Sequence, residues 1–189
     1  LCESLSRKTP DDFKFAVKVF GGFTHERNIG EMEAKQFIYA IRPLLESGKL
    51  ICLLAQFPYS FHCNNENIDY LRKLKDWFED LEINVEFRNN GWIKTEVMQL
   101  LREEGLGFVC VDEPRIRGLV KNVIAVTSRV SYLRMHGRNA SKWYGGDGSD
   151  RYNYLYSTEE LTEWVPRIKK MDSISIITVI AFNNHPIGK

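Results

Sequence analysis

Arg134, His136 and Arg138 stand two apart in SYLRMHGR. In a strand the first two share a face, so three nitrogen-rich side chains can gather on one anionic group, a phosphate or a carboxylate. Glu86 and Arg88 in INVEFR repeat the spacing with opposite charges. Both point to one side of a strand, either as an internal ion pair or as part of a working site. Asp112 and Glu113 close GFVCVDE; adjacent strand residues face opposite ways, so only one of them can join Glu86. Two carboxylates brought together there could divide acid and base roles if their pKa values separate. Glu86, Asp112 and His136 are the candidate catalytic groups. The plainer reading is that Arg134, His136 and Arg138 simply neutralise Glu86 and Asp112, since buried charges are usually paired.

Other apolar runs end in polar groups too. Lys18 closes the visible part of FKFAVKV, and Thr24-His25-Glu26 follows a glycine turn, adding a cation and an imidazole. Gln56 precedes Phe57-Pro58, and Asn183-Asn184-His185 ends the last run; such amides orient a ligand or satisfy loop backbone groups. Trp143, Tyr144, Tyr152, Tyr154 and Tyr156 flank the glycine-rich YGGDGS, as stacking faces for a base or sugar or as a lid packed on the fold. Lys18, His25, Gln56, Arg88, Arg134, Arg138, Tyr154, Asn183 and His185 are the candidate ligand-binding residues. His25, His136, His185, Glu86 and Asp112 are also metal-ligand types, but their spacing matches no compact motif, so no metal is assigned. YGGDGS lacks the strand-to-helix context of a dinucleotide fingerprint, and the cofactor stays unknown.

Strands must carry these tips. FKFAVKV, LICLLAQF, INVEFR, GFVCVDE, SYLRMHGR and ISIITVIAFNNH are short apolar runs, most of them separated by helical patterns. Strand, polar tip, helix, strand is the order of a parallel α/β barrel, whose ligand chemistry gathers at the carboxyl ends of the strands. Between Gly30 and Gly48 the apolar residues fall near helical spacing, with Pro43 expected to bend or shorten the element. A second helix with Asn64 or Asn65 as N-cap carries Ile68, Leu71, Leu74, Phe78 and Leu81 on one face. A third runs from about Ile93 to Glu104 and stops at Gly105. A fourth begins at Ser157, which forms an S-x-x-E capping box with Glu160 and is followed by an apolar stripe that continues despite Pro166. Six strands are too few for a barrel of eight, and 189 residues fall below its usual ~250. The expectation is a TIM-barrel-like α/β fold, incomplete at one or both ends.

No linker, repeat or low-complexity stretch divides the chain, so residues 1–189 are expected to form one domain. The net charge of +1 excludes a global field that would announce a polyanion partner; any positive patch must be local. Cys2, Cys52, Cys63 and Cys110 form no CxxC pair, which fits a reducing cytosol. No run approaches the roughly 18 apolar residues of a spanning helix, and no charged segment followed by an apolar stretch opens the chain. A cytoplasmic protein without a membrane partner is expected. Asn139-Ala140-Ser141 matches a glycosylation sequon, but without a secretory signal the match has no consequence.

Taken in order, TPDDFKFAVKV, FTHE, IRPLLESGKL with LLAQFPYSFH, VEFRNNGW, VDEP, YLRMHGRN with KWYGGDGSDRYNYLYS, and AFNNHPIGK closely resemble the motifs of the YecE-like family, a domain of unknown function (DUF72). The likeness covers nearly the whole chain. It implies a TIM-barrel-like fold whose first strands and last helix are absent here, with a shorter stretch from Glu26 to Gly30. It also implies that Trp92, Glu113, Gly137 and Asn184 stand at motif positions beside the candidates above. No reaction is attached to the family.

The leading expectation is an enzyme of the barrel mouth acting on a phosphorylated or nucleic-acid-like substrate. Arg134, Arg138 and Lys18 would hold the anion, and Glu86, Asp112 or His136 would handle protons as a hydrolase or lyase. One alternative is a module that binds a nucleic acid or an anionic metabolite without transforming it. A carbohydrate hydrolase, needing two carboxylates across the sugar, is the third.

Overall fold

INVE and LGFVCVD are apolar almost throughout, and both form strands buried along their whole length, as a parallel sheet covered on both faces requires. In the computed structural model, which describes residues 1–143 and 150–184, six parallel strands pair strictly in chain order. They are β1 (Phe15–Lys18), β2 (Leu50–Gln56), β3 (Ile83–Glu86), β4 (Leu106–Asp112), β5 (Val130–Met135) and β6 (Ile177–Phe182). The sheet is a curled half-barrel with helices between strands, the TIM-barrel-like α/β arrangement expected. The outermost strands β1 and β6 contain no buried residue, and each pairs on one side only among the described residues.

Five helices accompany the strands: α1 (Cys2–Lys8), α2 (Glu31–Glu46), α3 (Asn65–Trp77), α4 (Thr95–Glu103) and α5 (Thr158–Asp172). The caps read from the sequence are formed. The Asn64 side chain accepts from the Asn67 amide at 2.9 Å. Ser157 and Glu160 exchange both bonds of the capping box, at 3.2 and 3.0 Å, each such cap contributing about 1 kcal/mol. Pro43 does not shorten α2, which runs through it to Glu46. The carbonyl deprived of its partner belongs to Tyr39, a residue on the exposed side, where water can replace the lost bond. No helix among the described residues is long and apolar enough to cross a membrane.

The residues that follow the carboxyl ends of β2 and β3 form a stack of rings. Phe57 and Phe61 are 3.9 Å apart between centroids, Phe61 and Trp92 5.2 Å, and Phe87 and Trp92 4.3 Å. The indole N–H of buried Trp92 donates to the Phe61 carbonyl at 2.7 Å. Each ring pair adds about 0.5 to 1.5 kcal/mol beyond the burial of its area. Gln56 precedes Phe57 in the chain, and Glu86 and Arg88 flank Phe87, so the stack holds the polar tips in place.

Candidate functional site

The sheet register sets Gln56 opposite Glu86, and Arg134 opposite Val111 on one side and Ala181 on the other. The Glu86 carboxylate is wholly buried and serves three partners. Oε2 accepts from Arg134 Nη1 at 2.5 Å, Oε1 accepts from Arg88 Nη2 at 2.9 Å, and Oε1 lies 3.1 Å from His136 Nε2. Arg88 also donates through Nη1 to Glu113 Oε2 at 3.1 Å. On the far side of the imidazole, Asn183 Nδ2 meets His136 Nδ1 at 3.2 Å. A neutral ring with its proton on Nε2 satisfies both contacts, donating to Glu86 and accepting from the amide.

The two carboxyl groups and the imidazole of this cluster diverge. Burial pushes the Glu86 carboxyl up, but Arg88, the His136 ring and Arg134 reverse the effect and hold it well below the usual carboxylate range. Burial lowers His136 to about 4 against the pull of Glu86, so it is neutral at pH 7. Burial raises Glu113 to about 7, opposed mainly by Arg88 and reinforced by the Glu86 charge. Its buried Oε1 has no hydrogen-bond partner among the described residues, and neither has Arg134 Nε. Among the groups anchored to Glu86, two guanidinium cations therefore face one firmly ionised carboxylate and one that titrates near neutrality.

A second cluster surrounds Asp112. Its carboxylate accepts from Arg138 Nε at 2.9 and 3.2 Å and from Asn122 Nδ2 at 2.7 Å. Arg138 also reaches Glu160 at 3.5 Å and Glu163 at 3.1 Å. Tyr154 donates its hydroxyl to Glu160 at 2.5 Å. Arg134 and His136 thus share one anion, as their spacing predicts, while Arg138 does not join them. β5 ends at Met135, and Gly137 turns the chain with φ of +88°. A Cβ at Gly137 would lie 2.5 Å from the Tyr154 Cβ. Gly137→Ala is therefore expected to cost about 1 to 3 kcal/mol through backbone strain and displacement of Tyr154, read as a lower urea midpoint with unchanged slope.

Of the remaining sequence candidates, Lys18 donates to Gln56 Oε1 at 3.0 Å. Burial and then Arg134 lower its pKa, with Glu86 opposing. His25 sits on a single π turn (Gly22–Glu26) with Nδ1 2.9 Å from Thr24 Oγ1. Asn184 donates to the Tyr154 carbonyl at 2.5 Å. His185 and residues 144–149, which include Tyr144 and the rest of YGGDGS, lie outside the described residues. No three His, Cys, Asp or Glu side chains among the described residues form a metal-holding group.

Above the Glu86 cluster opens a cavity of about 510 Å³. His25, Gln56 and Arg88 form part of its wall, Tyr59, Trp143, Arg151 and Tyr152 much of the rest, with Pro58 and Leu119 completing it. Among the described residues, no carboxylate lines it. Arg151 donates to the Trp143 carbonyl at 3.0 Å and lies 5.0 Å from the centre of its ring. Tyr59 and Arg151 are wall residues that sequence reasoning did not single out, because neither belongs to an apolar run or a periodic face. Glu113 was visible as the alternative to Asp112, and it is the one tied through Arg88 to Glu86. A roomier groove of about 800 Å³ between the starts of α3 and α4 has no buried ionisable side chain in its wall.

Comparison with known proteins agrees over the whole chain. The family described as "Protein of unknown function DUF72" matches residues 1–189. The curated UPF0759 protein YunF of Bacillus subtilis (strain 168) is 32% identical over 203 residues, spanning 98% of this chain and 72% of that protein. The crystal structure of a DUF72 family protein (TM1631) from Thermotoga maritima superposes with a TM-score of 0.92 at 38% identity, covering 98% of this chain and 72% of that one. A DUF72 family protein (EF0366) from Enterococcus faecalis gives a TM-score of 0.90 at 32% identity, with 97% and 72% covered.

Proposed function

The chain belongs to the DUF72 family of proteins of unknown function, and on that premise we propose that its mouth cavity is an active site for a phosphorylated or nucleic-acid-like substrate. The observation that carries this reading is the composition of the wall: among the described residues it has two guanidinium groups, an imidazole and three aromatic rings, and no carboxylate. Arg88 and Arg151 take the phosphate, and Tyr59, Trp143 and Tyr152 offer planes to a base or sugar. Arg88 is fixed by Glu86 and Glu113 before substrate arrives, which spares the cost of ordering a long side chain. Glu86, His136 and Asp112 act as positioning groups in this account, because salt bridges occupy them and none lines the cavity. Proton transfer falls to His25, which does line it.

The same wall favours a second reading over the third. A binding module needs cations and rings but no catalytic acid, whereas a carbohydrate hydrolase needs two carboxylates facing the sugar. The test is a panel of phosphate monoesters, sugar phosphates and abasic oligonucleotides, with and without magnesium or manganese. Turnover by the intact protein is expected, lost by at least about 100-fold in His25→Ala and in Arg151→Ala, with little change in melting temperature because neither residue is part of the core. Binding without turnover would replace the enzyme reading with the binding module. Inactivity and no binding across the panel would end both.

A further inference from the structure

The stretch joining β4 to β5 is the one strand connection without a helix, and its first half carries cations. Arg115, Arg117 and Lys121 of this stretch, together with Arg167 of α5, line a second cavity of about 570 Å³, with Asn90 and Asn122 as its polar remainder. Among the described residues, the wall holds no carboxylate. Several exposed arginines elsewhere are neutralised locally: Arg7 by Glu3, Arg42 by Glu46, Arg72 by Asp69 and Glu104. None of these four cations has an ion-pair partner among the described residues. In a chain of net charge +1, such a cluster is a local excess that attracts anions rather than the ordinary mixture of surface charges.

The cluster is also held in shape. Buried Leu119 and Val120 anchor the stretch in the core. The Asn90 amide donates to the Gly118 carbonyl at 3.0 Å, Leu119 N–H donates to the Ile116 carbonyl at 3.2 Å, and Asn122 is tied to Asp112. Gly118 has φ of +94°, and a Cβ there would meet the Tyr59 hydroxyl at 2.6 Å. That tyrosine belongs to the wall of the mouth cavity, and Leu119 lines both cavities. Arg167 lies 5.0 Å from the centre of the Trp164 ring, which restricts its side chain.

We propose that this cavity is a second phosphate-binding site, taking a further phosphate of a substrate whose reacting phosphate sits at the mouth. The second site stands on its own residues; that both phosphates belong to one molecule rests on the reading of the mouth given above. The chemistry required is an oligoanion with phosphates on either side of Leu119, supplied by a phosphodiester chain or by a small polyphosphorylated metabolite.

The intact protein is titrated with a fluorescein-labelled single-stranded 12-mer, with inorganic tripolyphosphate and with a phosphate monoester, at several salt concentrations. Arg115→Ala/Arg117→Ala is expected to weaken tripolyphosphate binding about ten-fold or more, to flatten its dependence on salt by about two charges, and to spare the monoester. An equal loss for the 12-mer identifies a phosphodiester chain, and a loss confined to tripolyphosphate a small metabolite. The exposed pair Lys8→Ala/Lys73→Ala removes the same charge elsewhere; an equal loss there means diffuse attraction and overturns the site. Failure of the wild-type protein to bind either oligoanion also overturns it. If Arg151→Ala weakens the monoester while Arg115→Ala/Arg117→Ala changes nothing, the second site falls and the mouth stands. The opposite pattern keeps the second site and removes the mouth reading.

Discussion

Glu86→Gln is expected to cost about 3 to 5 kcal/mol of folding stability at pH 7, the usual consequence of leaving a buried ion pair half-made. Glu86 is wholly buried and is the common counter-charge of Arg88 and Arg134. The amide keeps the shape and one acceptor but no charge. Arg134 then has no carboxylate partner, and its Nε already lacks a hydrogen bond. Arg88 retains only Glu113, whose own carboxyl is raised to about 7 by burial. A urea titration should show a lower midpoint with an unchanged slope. The double variant Glu86→Gln/Arg134→Met should recover part of the loss, because the cost comes from an uncompensated cation rather than from missing contacts. A loss below about 1 kcal/mol for Glu86→Gln would mean that water reaches the cluster, as it does for exposed pairs.

The size of that effect reflects how the sheet was encoded, and how far the encoding reaches. The six apolar runs became the six strands because a strand covered on both faces admits few polar residues. Ser157 with Glu160, Asn64 and Gly105 marked helix ends through chemistry that needs no tertiary partner. Alternation also put Glu86 beside Arg88, and Arg134 beside His136. It likewise set Glu113, two residues beyond Val111, on the face of Arg134, where it meets Arg88. It fails where pairing stops. β5 ends at Met135, so Gly137 sends Arg138 to Asp112 rather than to Glu86. The cavity walls were less visible still. Tyr59, Arg151 and the cations of the β4–β5 connection lie in irregular segments, where no period says which side chains meet. Membership of the DUF72 family supports the fold and adds no chemistry to either cavity.

Acid titration is expected to expose two opposite terms that cancel in the unmodified protein. His136 is lowered from 6.5 to about 4 in the folded state. Between these values the unfolded chain binds a proton that the folded one refuses, so this group's contribution is lost as pH falls. Glu113 is raised from 4.5 to about 7. Between those values the folded state holds a proton that the unfolded chain has released, so its contribution grows as pH falls. Each amounts to about 3 kcal/mol over its range, and the ranges overlap between pH 4.5 and 6.5. Folding there moves a proton from one residue to the other without net uptake. Glu113→Gln leaves His136 unopposed: relative to wild type, stability should fall by about 3 kcal/mol from pH 7 to about pH 4.5. His136→Asn leaves Glu113 unopposed, and relative to wild type stability should rise by about the same amount from pH 6.5 to about pH 4. The change with pH is the readout, since each substitution also shifts the baseline by disturbing Arg88 or Glu86. Urea midpoints at pH 4.5, 5.5 and 6.5 decide it: parallel profiles for both variants and wild type would mean that neither group is shifted by burial.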